Sequence, residues 1–310
     1  MNEQSPDLVA RAAARLRQAG ARHGTAAPAS PIAEARASQG AVAPAAVPSD
    51  PAKPTPEYQS KLITIDRGAL ARTGASIAGS ARTRTSEEFR IIKRQIVGNA
   101  RSQPNLEEGQ RSGRLIMVTS TKPREGKTFT ALNLALSLAS EQDLRVLLVD
   151  LDAHRKSLTD IFGISAELGW VDLLADSDAV HFPDALLRTN IRNLNILPAG
   201  RTARDVPELL SSKRMAALLT EMTQRYADRF IIFDAPPCLA SSEPSILADL
   251  VGQIVFVVEA HKTEREEIEA SLRLISGCSN ISLLLNKADT RNLEEFGSYS
   301  AYYAPEGQPN

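Results

Sequence analysis

The stretch that most constrains the fold of this chain runs from an apolar segment, Leu115–Val118, through a short polar loop into a helical pattern. The loop reads Ser-Thr-Lys-Pro-Arg-Glu-Gly-Lys-Thr from Ser120 to Thr128, and apolar residues then recur at helical spacing from Phe129 onwards. A strand, a tight loop ending in Gly-Lys-Thr and a helix form the setting that a phosphate-binding loop requires. The first amides of a helix have no internal partner and lie at the positive end of its dipole, so they can bind a polyphosphate.

Local chemistry gives three loop residues a role. Gly126 lets the backbone approach closely, Lys127 would reach the β- and γ-phosphates, and the hydroxyl of Thr128 would ligate Mg²⁺. The usual pattern has a glycine five residues before Gly126, where this chain has Thr121. The sequence therefore predicts a nucleotide site. Its nucleotide-contacting residues would be Ser120, Lys122, Arg124, Glu125, Gly126, Lys127, Thr128 and Phe129. Likeness to ATP-using proteins, in which an Asn at the corresponding strand end contacts adenine, implies that Asn286 joins them.

Two later apolar runs end in acidic residues that would complete the site. Val146–Val149 leads into Asp150 and Asp152, and Phe230–Phe233 leads into Asp234 and two prolines, which end a strand sharply. Carboxylates at the carboxyl ends of parallel strands lie where Mg²⁺ and a reacting hydroxyl would be. Taken alone, Asp152 could equally be a polar strand end that caps a helix. The predicted metal ligands are Thr128, Asp150 and Asp234.

The remaining periodicity predicts the fold class. Further strands are expected at 194–197, 253–259 and 281–286, and helices at 212–226, 243–250 and 264–276. Strands that alternate with helices imply an α/β, doubly wound, mostly parallel sheet, with nucleotide at the carboxyl ends of the central strands. The expected fold is that of a P-loop NTPase of the deviant Walker, partition ATPase-like type; Lys122 resembles the signature lysine of that class in its position.

Charge, cysteine content and the lengths of apolar runs indicate which partners and which cellular compartment to expect. The net charge of −1 gives no reason to expect a nucleic-acid partner. Up to Arg114 there are 17 Lys and Arg against 10 Asp and Glu, a balance of +7, so this basic segment could lie against anionic lipid or be a solvated tail. The two cysteines form no metal or disulfide pattern, and there is neither an apolar run of about 20 residues nor a signal peptide. We therefore expect a cytoplasmic protein.

The chain should divide into five parts, which differ in composition and periodicity. They are a short amphipathic helix (1–19), a disordered Pro/Ala-rich linker (20–57), an N-terminal extension with a helix starting near Ser86 (58–113), the P-loop domain (114–289) and a flexible tail with Tyr299, Tyr302 and Tyr303 (290–310).

These motifs carry a family resemblance. Ser120–Thr128, Asp150–Asp152 and Asp234–Pro236 are similar to the Walker A, A′ and B motifs of bacterial tyrosine autokinases (BY-kinases), and the similarity extends from about Ser86 to Lys287. It resembles most the branch associated with exosortase and exopolysaccharide systems. It includes the stretches Leu197-Pro198-Ala199-Gly200, Pro207-Glu208-Leu209-Leu210-Ser211-Ser212 and Glu259-Ala260-His261-Lys262-Thr263.

The resemblance implies an ATP- and Mg²⁺-dependent protein-tyrosine autokinase that regulates exopolysaccharide or capsule biosynthesis and export. The implied catalytic residues are Lys127, Asp150, Asp152 and Asp234. Asp152 would accept the proton of a tyrosine, and the 114–289 segment would be the kinase domain. Three of the five tyrosines lie within five residues of one another near the carboxyl terminus, and they resemble the family's autophosphorylation cluster. These acceptors are Tyr299, Tyr302 and Tyr303.

In the helix near Ser86, the charged residues Glu87, Arg90 and Lys93 recur at intervals of three, and we expect them to share a face. They resemble the family's Glu-x-x-Arg-x-x-Arg oligomerisation helix, with Lys93, or Arg94 shifted by one position, in the last place. The resemblance implies a homo-oligomer, such as a ring, although Lys93 lacks the bidentate fork of arginine. The alternative is an ordinary amphipathic helix with surface ion pairs. The family also implies a membrane-anchored, chain-length-determinant-type activator. The protein would then lie at the inner face of the cytoplasmic membrane, through that partner or through its basic N-terminal segment.

Three other functions stay open. The first is a partition-type ATPase switch using Lys122, although Pro123 replaces a glycine of that motif. The second is a GTPase, because Asn286–Asp289 reads Asn-Lys-Ala-Asp; in ATP-using relatives an Asn at this place contacts adenine. The third is a catalytically weak, nucleotide-bound scaffold of a polysaccharide machine. Arg124 stands where the family usually has glycine, and it would be strained there or would add positive charge over the phosphates.

Overall fold

The computed structural model describes most of the predicted P-loop domain and parts of the extension before it. The described residues are 60–76, 83–102, 111–152, 155, 157–164, 168–175, 180–201, 205–225 and 229–288. All of them belong to Pro56–Asn310, one of two compact units into which the chain divides. The predicted helix 1–19, the linker 20–57 and the tyrosine-bearing tail 290–310 lie outside the described residues.

An eight-stranded sheet forms the centre of the described chain, in the order β1-β4-β5-β3-β6-β2-β7-β8. Its strands are β1 Leu62–Ile63, β2 Leu115–Ser120, β3 Arg145–Asp150, β4 Leu187–Thr189, β5 Leu194–Leu197, β6 Arg229–Asp234, β7 Gln253–Glu259 and β8 Ile281–Asn286. Neighbouring strands are parallel except for β4 and β5, which pair antiparallel. The prediction of an α/β, mostly parallel sheet is confirmed.

Ten helices surround the sheet in the part of the chain that the structure describes. They are α1 Arg67–Arg72, α2 Arg84–Arg101, α3 Lys127–Ala139, α4 Ser157–Phe162, α5 Trp170–Ala175, α6 Phe182–Ala185, α7 Val206–Leu210, α8 Lys213–Arg225, α9 Glu243–Ala248 and α10 Arg265–Leu274. None of these helices combines the length and the apolar character that a transmembrane span needs.

Helices cover both faces of the sheet because the side chains of the central strands alternate between two cores. Ile116 and Val118 of β2 are buried in a core that also contains residues of α1 to α4. Leu115 and Met117 are buried in the opposite core, to which α5 and α7 to α9 contribute. This two-sided burial explains why β2, β3 and β6 read as continuous apolar runs in the sequence.

The extension before β2 packs on the sheet through α2. Thr83 caps this helix, because its hydroxyl accepts the N–H of Ser86 at 3.1 Å. Phe89 of α2 meets Phe129 of α3 edge-to-face, with 6.1 Å between ring centroids. The side-chain amide of Gln253 on β7 donates to the carbonyl of α2 residue Ile96 at 3.1 Å. The helix therefore lies against the strand–helix unit that carries the phosphate loop.

One predicted feature of α2 is corrected by the structure. Glu87 and Arg90 form an ion pair on the partly exposed side, but Lys93 is buried and pairs with Glu141, beyond the end of α3. The reason is helical geometry: a step of three residues turns about 300°, so Lys93 lies about 120° around the helix from Glu87. That rotation places Lys93 on the buried side of α2, which also carries Ile96. The prediction that Lys93 shares a helix face with Glu87 and Arg90 is therefore wrong. An intermolecular role of Glu87 and Arg90 stays a prediction.

Candidate active site

The phosphate loop ends in a helix start that suits an anion. Helix α3 begins at Lys127, and Gly126 is its N-cap with a left-handed φ of 102°. No side chain caps this helix, and no acidic residue lies in its first turn. The first-turn amides are therefore left without an internal acceptor, at the positive end of the helix dipole. This is the geometry that the sequence predicted for polyphosphate binding.

A buried cluster of one cation and three carboxylates lies beside this helix start. The ammonium of Lys127 is 3.2 Å from Asp152 Oδ2 and 3.7 Å from Asp234 Oδ1. Asp150 and Asp234 end neighbouring strands and face each other in the register of β3 and β6. All four side chains are buried. The structure thus brings together the residues that the sequence predicted as catalytic.

The cluster is electrostatically strained. Burial, followed by the neighbouring charge of Asp234, raises the pKa of Asp150 from its ordinary 3.8 to about 7. Burial also raises the pKa of Asp234, and the nearby Lys127 opposes that shift. Near neutral pH, the protein therefore holds two carboxylates side by side in a place that disfavours their charge.

Asp150 is nevertheless fixed in place. Its carboxylate accepts the backbone N–H groups of Leu158 and Asp152, both at 3.2 Å. Its backbone carbonyl accepts the indole N–H of Trp170 at 2.8 Å. These contacts orient the side chain at the end of β3, so a ligand would meet a preformed carboxylate.

The donor set fits Mg²⁺. Both carboxylate oxygens of Asp234 are buried, and neither accepts a hydrogen bond of normal geometry from a described group. The hydroxyl of Thr128 lies 3.4 Å from the Lys127 ammonium. No three His, Cys, Asp or Glu side chains of the described chain converge into a complete metal site. Mg²⁺ usually takes one or two carboxylates and completes its shell with water and substrate phosphates, so a partial set from Thr128, Asp150 and Asp234 suffices.

The loop itself is held by buried polar contacts. The hydroxyl of Ser120 donates to the carbonyl of Lys122 at 2.9 Å. The buried carboxylate of Glu125 accepts the N–H of Lys122 at 2.8 Å and the hydroxyl of Thr263. Arg124 has a φ of 72°, so its backbone does adopt the left-handed conformation that favours glycine. Of the two interpretations of Arg124, backbone strain is therefore the one that the structure supports.

Two contacts of the loop were not foreseen from the sequence. The ammonium of Lys122 pairs with Glu267 of α10 at 2.7 Å, and this hydrogen bond raises the pKa of Lys122. The carbonyl of Arg124 accepts the ammonium of Lys287 at 2.7 Å. Both partners lie more than a hundred residues away in sequence, and no spacing signal links them to the loop.

Two predicted nucleotide contacts have other partners in the structure. The side-chain amide of Asn286 donates to the carbonyl of Glu125 at 2.8 Å, within the loop. The ring of Phe129 packs on Phe89, so the ring belongs to the core while its backbone lies in the first turn of α3. Whether either residue contacts nucleotide stays a prediction. The acceptor tyrosines of the tail lie outside the described residues.

Comparison with known proteins places this site in a family. The family model described as "AAA domain" matches residues 113–276, more than half of the chain. The tyrosine-protein kinase YwqD of Bacillus subtilis (strain 168) is 28% identical over 236 residues, which cover 76% of this chain and 94% of YwqD. The tyrosine-protein kinase wzc of Salmonella typhimurium is 28% identical over 198 residues, 63% of this chain but 27% of wzc.

A solved structure gives the same result. The crystal structure of the VpsO kinase domain is 31% identical, with a TM-score of 0.52, and the match covers 67% of this chain and all of that domain. The residues that the family model matches, 113–276, contain the phosphate loop and the acidic ends of β3 and β6. The chain therefore belongs to the AAA-domain family and, within it, to the bacterial tyrosine kinases.

Proposed function

We propose that this protein is an ATP-dependent protein-tyrosine autokinase that phosphorylates its own tail at Tyr299, Tyr302 and Tyr303. The observation that carries the proposal is the buried cluster of Lys127 with three carboxylates beside the uncapped start of α3. The names of the relatives, which are tyrosine-protein kinases, support the same reaction.

The residues of this chain would act by positioning and by charge compensation. Loop amides and Lys127 would hold phosphate oxygens, while Thr128, Asp150 and Asp234 would supply oxygen ligands to Mg²⁺. When bound, Mg-ATP would supply the phosphoryl group, and its Mg²⁺ would offset the negative charge of the buried carboxylates.

Asp152 is the proposed proton acceptor. Its carboxylate is paired with Lys127 at 3.2 Å and accepts the N–H of Arg155 at 3.2 Å. The tyrosine hydroxyl would give its proton to Asp152, and its oxygen would form the new bond to phosphorus as the bond to the ADP oxygen breaks. Because a free phenol has a pKa of about 10, proton loss must accompany phosphoryl transfer.

The end of β8 and the number of residues between it and Tyr299 support autophosphorylation. Strand β8 ends at Asn286, whose amide contacts the phosphate loop, so the chain leaves the sheet at the edge that carries the site. Tyr299 follows the last described residue, Ala288, by eleven positions. Eleven extended residues span up to about 40 Å, so the tail is long enough to reach its own site or that of a neighbouring copy.

The wider setting follows from the family. We infer that the kinase forms homo-oligomers, is activated by a membrane-anchored, chain-length-determinant-type protein and acts in exopolysaccharide or capsule synthesis and export. It would then lie at the inner face of the cytoplasmic membrane, through that activator or through its basic N-terminal segment. The match to about a quarter of wzc is consistent with a kinase unit that works together with further parts.

The test is phosphate transfer on the purified full chain. Incubation with Mg-ATP and an activator fragment, followed by mass spectrometry, should place phosphate on the tail tyrosines. Asp152→Asn should keep nucleotide binding and lose phosphotyrosine, and replacing the three tail tyrosines with Phe should remove most of the signal. Tyr58 and Tyr226, outside the tail, serve as internal controls. Undiminished signal in the triple variant, or no phosphate on the wild type, would contradict the kinase proposal.

Measurements of ATP binding and of oligomeric mass on the same proteins separate the alternatives. Retained ATP binding without any phosphate transfer would favour a scaffold. ATP-dependent dimerisation that Lys122→Ala abolishes would favour a partition-type switch. The pairing of Lys122 with Glu267 of the same chain speaks against that switch, since the lysine already has an intramolecular partner.

A further inference from the structure

The Asn-Lys pair at the end of β8 lies against the phosphate loop. Asn286 Nδ2 donates to the carbonyl of Glu125 at 2.8 Å, and Lys287 Nζ donates to the carbonyl of Arg124 at 2.7 Å. Two consecutive loop carbonyls are thus bound by two consecutive side chains. In a GTPase such a pair would be expected at the base, but here both described contacts go to the loop backbone.

Gly126 shows how closely the two segments approach. A Cβ atom added at Gly126 would lie 2.0 Å from Asn286 Nδ2. A side chain at this position would therefore displace the amide of Asn286, in addition to the strain at a φ of 102°. The glycine of the Gly-Lys-Thr motif is required here by Asn286 as well as by the backbone angle.

The two contacts also set the direction of the loop amides. The described chain contains no cis peptide bond. In a trans peptide the C=O and the N–H point to opposite sides. Binding the carbonyls of Arg124 and Glu125 toward β8 therefore turns the next two N–H groups, those of Glu125 and Gly126, away from β8. No described group accepts either N–H, so both are available to an anion.

A second contact fixes the side chain of Lys287. Its ammonium also lies 3.2 Å from Glu259 Oε2 at the end of β7. Glu259 binds a second lysine, Lys262, at 3.2 Å. The contacts of Asn286 and Lys287 thus connect the loop to the ends of β7 and β8. They lie beside Arg124, whose left-handed backbone conformation is unfavourable for an arginine.

We propose that Asn286 and Lys287 are positioning residues that hold the phosphate loop in its anion-binding shape and allow it to carry Arg124. This inference rests on the nucleotide site of the proposed function. In this inference Asn286 and Lys287 support the part of the site that binds the phosphates of the ligand. The pair would therefore support any polyphosphate, whatever its base.

The test measures binding of Mg-ATP, Mg-GTP and inorganic tripolyphosphate to the full chain by calorimetry. Asn286→Ala and Lys287→Met should each weaken all three by a common factor of about ten, the loss expected for one hydrogen bond of the loop. Lys262→Met, which also removes a partner of Glu259 but touches no loop carbonyl, is the matched control and should leave the three affinities unchanged. Melting curves confirm that each variant is folded.

A second variant keeps the proposal falsifiable. Arg124→Gly removes the left-handed strain, so Lys287→Met should lose no more than about twofold in that background. A loss confined to ATP in Asn286→Ala would mean that this side chain reads adenine, and it would overturn the inference. An equally large effect of Lys287→Met with and without Arg124→Gly would also overturn it. If the wild type binds none of the three ligands, the proposed function fails and the inference falls with it.

Discussion

The raised pKa of Asp150 predicts that the ligand-free protein becomes less stable as the pH rises. With a folded pKa of about 7 and an ordinary value of 3.8, the folded state holds a proton that the unfolded chain has already lost. The stabilising contribution of that proton is complete below pH 3.8 and is lost as the pH rises through 7. From this group alone, the free energy of unfolding should fall by about 3 kcal/mol between pH 5 and pH 8.

Asp150→Asn isolates the effect. At pH 8 the free energy of unfolding of the wild type is about 4 kcal/mol lower than below pH 3.8, from this group alone. The reason is that the pKa differs by about three units between the folded and unfolded states, and each unit corresponds to 1.36 kcal/mol. The asparagine carries no charge, but it satisfies only one of the two N–H groups bound by the carboxylate, at a cost of about 1 kcal/mol. The variant should therefore be more stable than the wild type by about 3 kcal/mol at pH 8, and nearly equal at pH 5. That gain corresponds to an increase in melting temperature of about 6 to 12 °C.

The assay is thermal and urea unfolding of both proteins between pH 5 and pH 8.5, without nucleotide. The exposed Asp143, replaced by Asn, is the matched control and should show no pH-dependent gain. With Mg-ATP at a hundred times its dissociation constant, the wild type should gain about 2.7 kcal/mol, whereas Asp150→Asn should gain much less because a proposed metal ligand is gone. A variant that is destabilised equally at every pH would refute the reasoning, since Asp150 would then be ionised and well compensated throughout.

Three further predictions follow from named contacts. Lys127→Met should abolish the nucleotide-induced rise in melting temperature and should destabilise the ligand-free protein by about 3–5 kcal/mol in urea unfolding, because two buried carboxylates lose their cation; an undiminished nucleotide shift would contradict this. Exchanging the charges of Glu87 and Arg90 preserves their pairing within α2, so the fold should remain while the oligomeric mass in light scattering falls; an unchanged mass would mean that this surface is only solvated. Lys122→Ala removes a partly exposed pair with Glu267, so it should cost less than about 1 kcal/mol in urea unfolding and leave autophosphorylation intact; loss of activity would give Lys122 a catalytic role.

The sheet could be predicted because its central strands are buried on both faces. Continuous apolar runs placed β2, β3 and β6, and the predicted bounds of β5, β7 and β8 agree with the structure. Strands β1 and β4 were missed, since Leu62–Ile63 and Leu187–Thr189 are too short to show a pattern. These two strands form because they pair with neighbouring strands, and the residues within them do not indicate that pairing.

The site could be predicted only in part, for a related reason. Parallel strands end at one edge, so the three aspartates at the ends of β3 and β6 had to converge. Side chains that reach the loop from elsewhere, such as Thr263 and Glu267, depend on how α10 packs on the sheet, and their spacing carries no signal. Lys93 shows the opposite effect: a repeat of three residues predicts one helix face, but two such steps turn the side chain by about 120° to the buried side of α2.

Several unfavourable features of the described chain lie at the site. Of its four non-glycine residues with left-handed φ, three lie at the phosphate loop and beyond the ends of β7 and β8: Arg124, His261 and Lys287. The raised pKa of Asp150 and the unsatisfied carboxylate of Asp234 lie at the same edge of the sheet. Mg-ATP would compensate the electrostatic part of this strain, because a divalent cation offsets carboxylate charge and phosphate oxygens accept the N–H groups of the loop. Strain of this kind persists where the surrounding structure enforces it, and here the ligand would relieve it. Binding should therefore stabilise the loop and the strand ends as one unit, whereas Asp150→Asn, which removes the unfavourable charge from the ligand-free site, should weaken Mg-nucleotide binding.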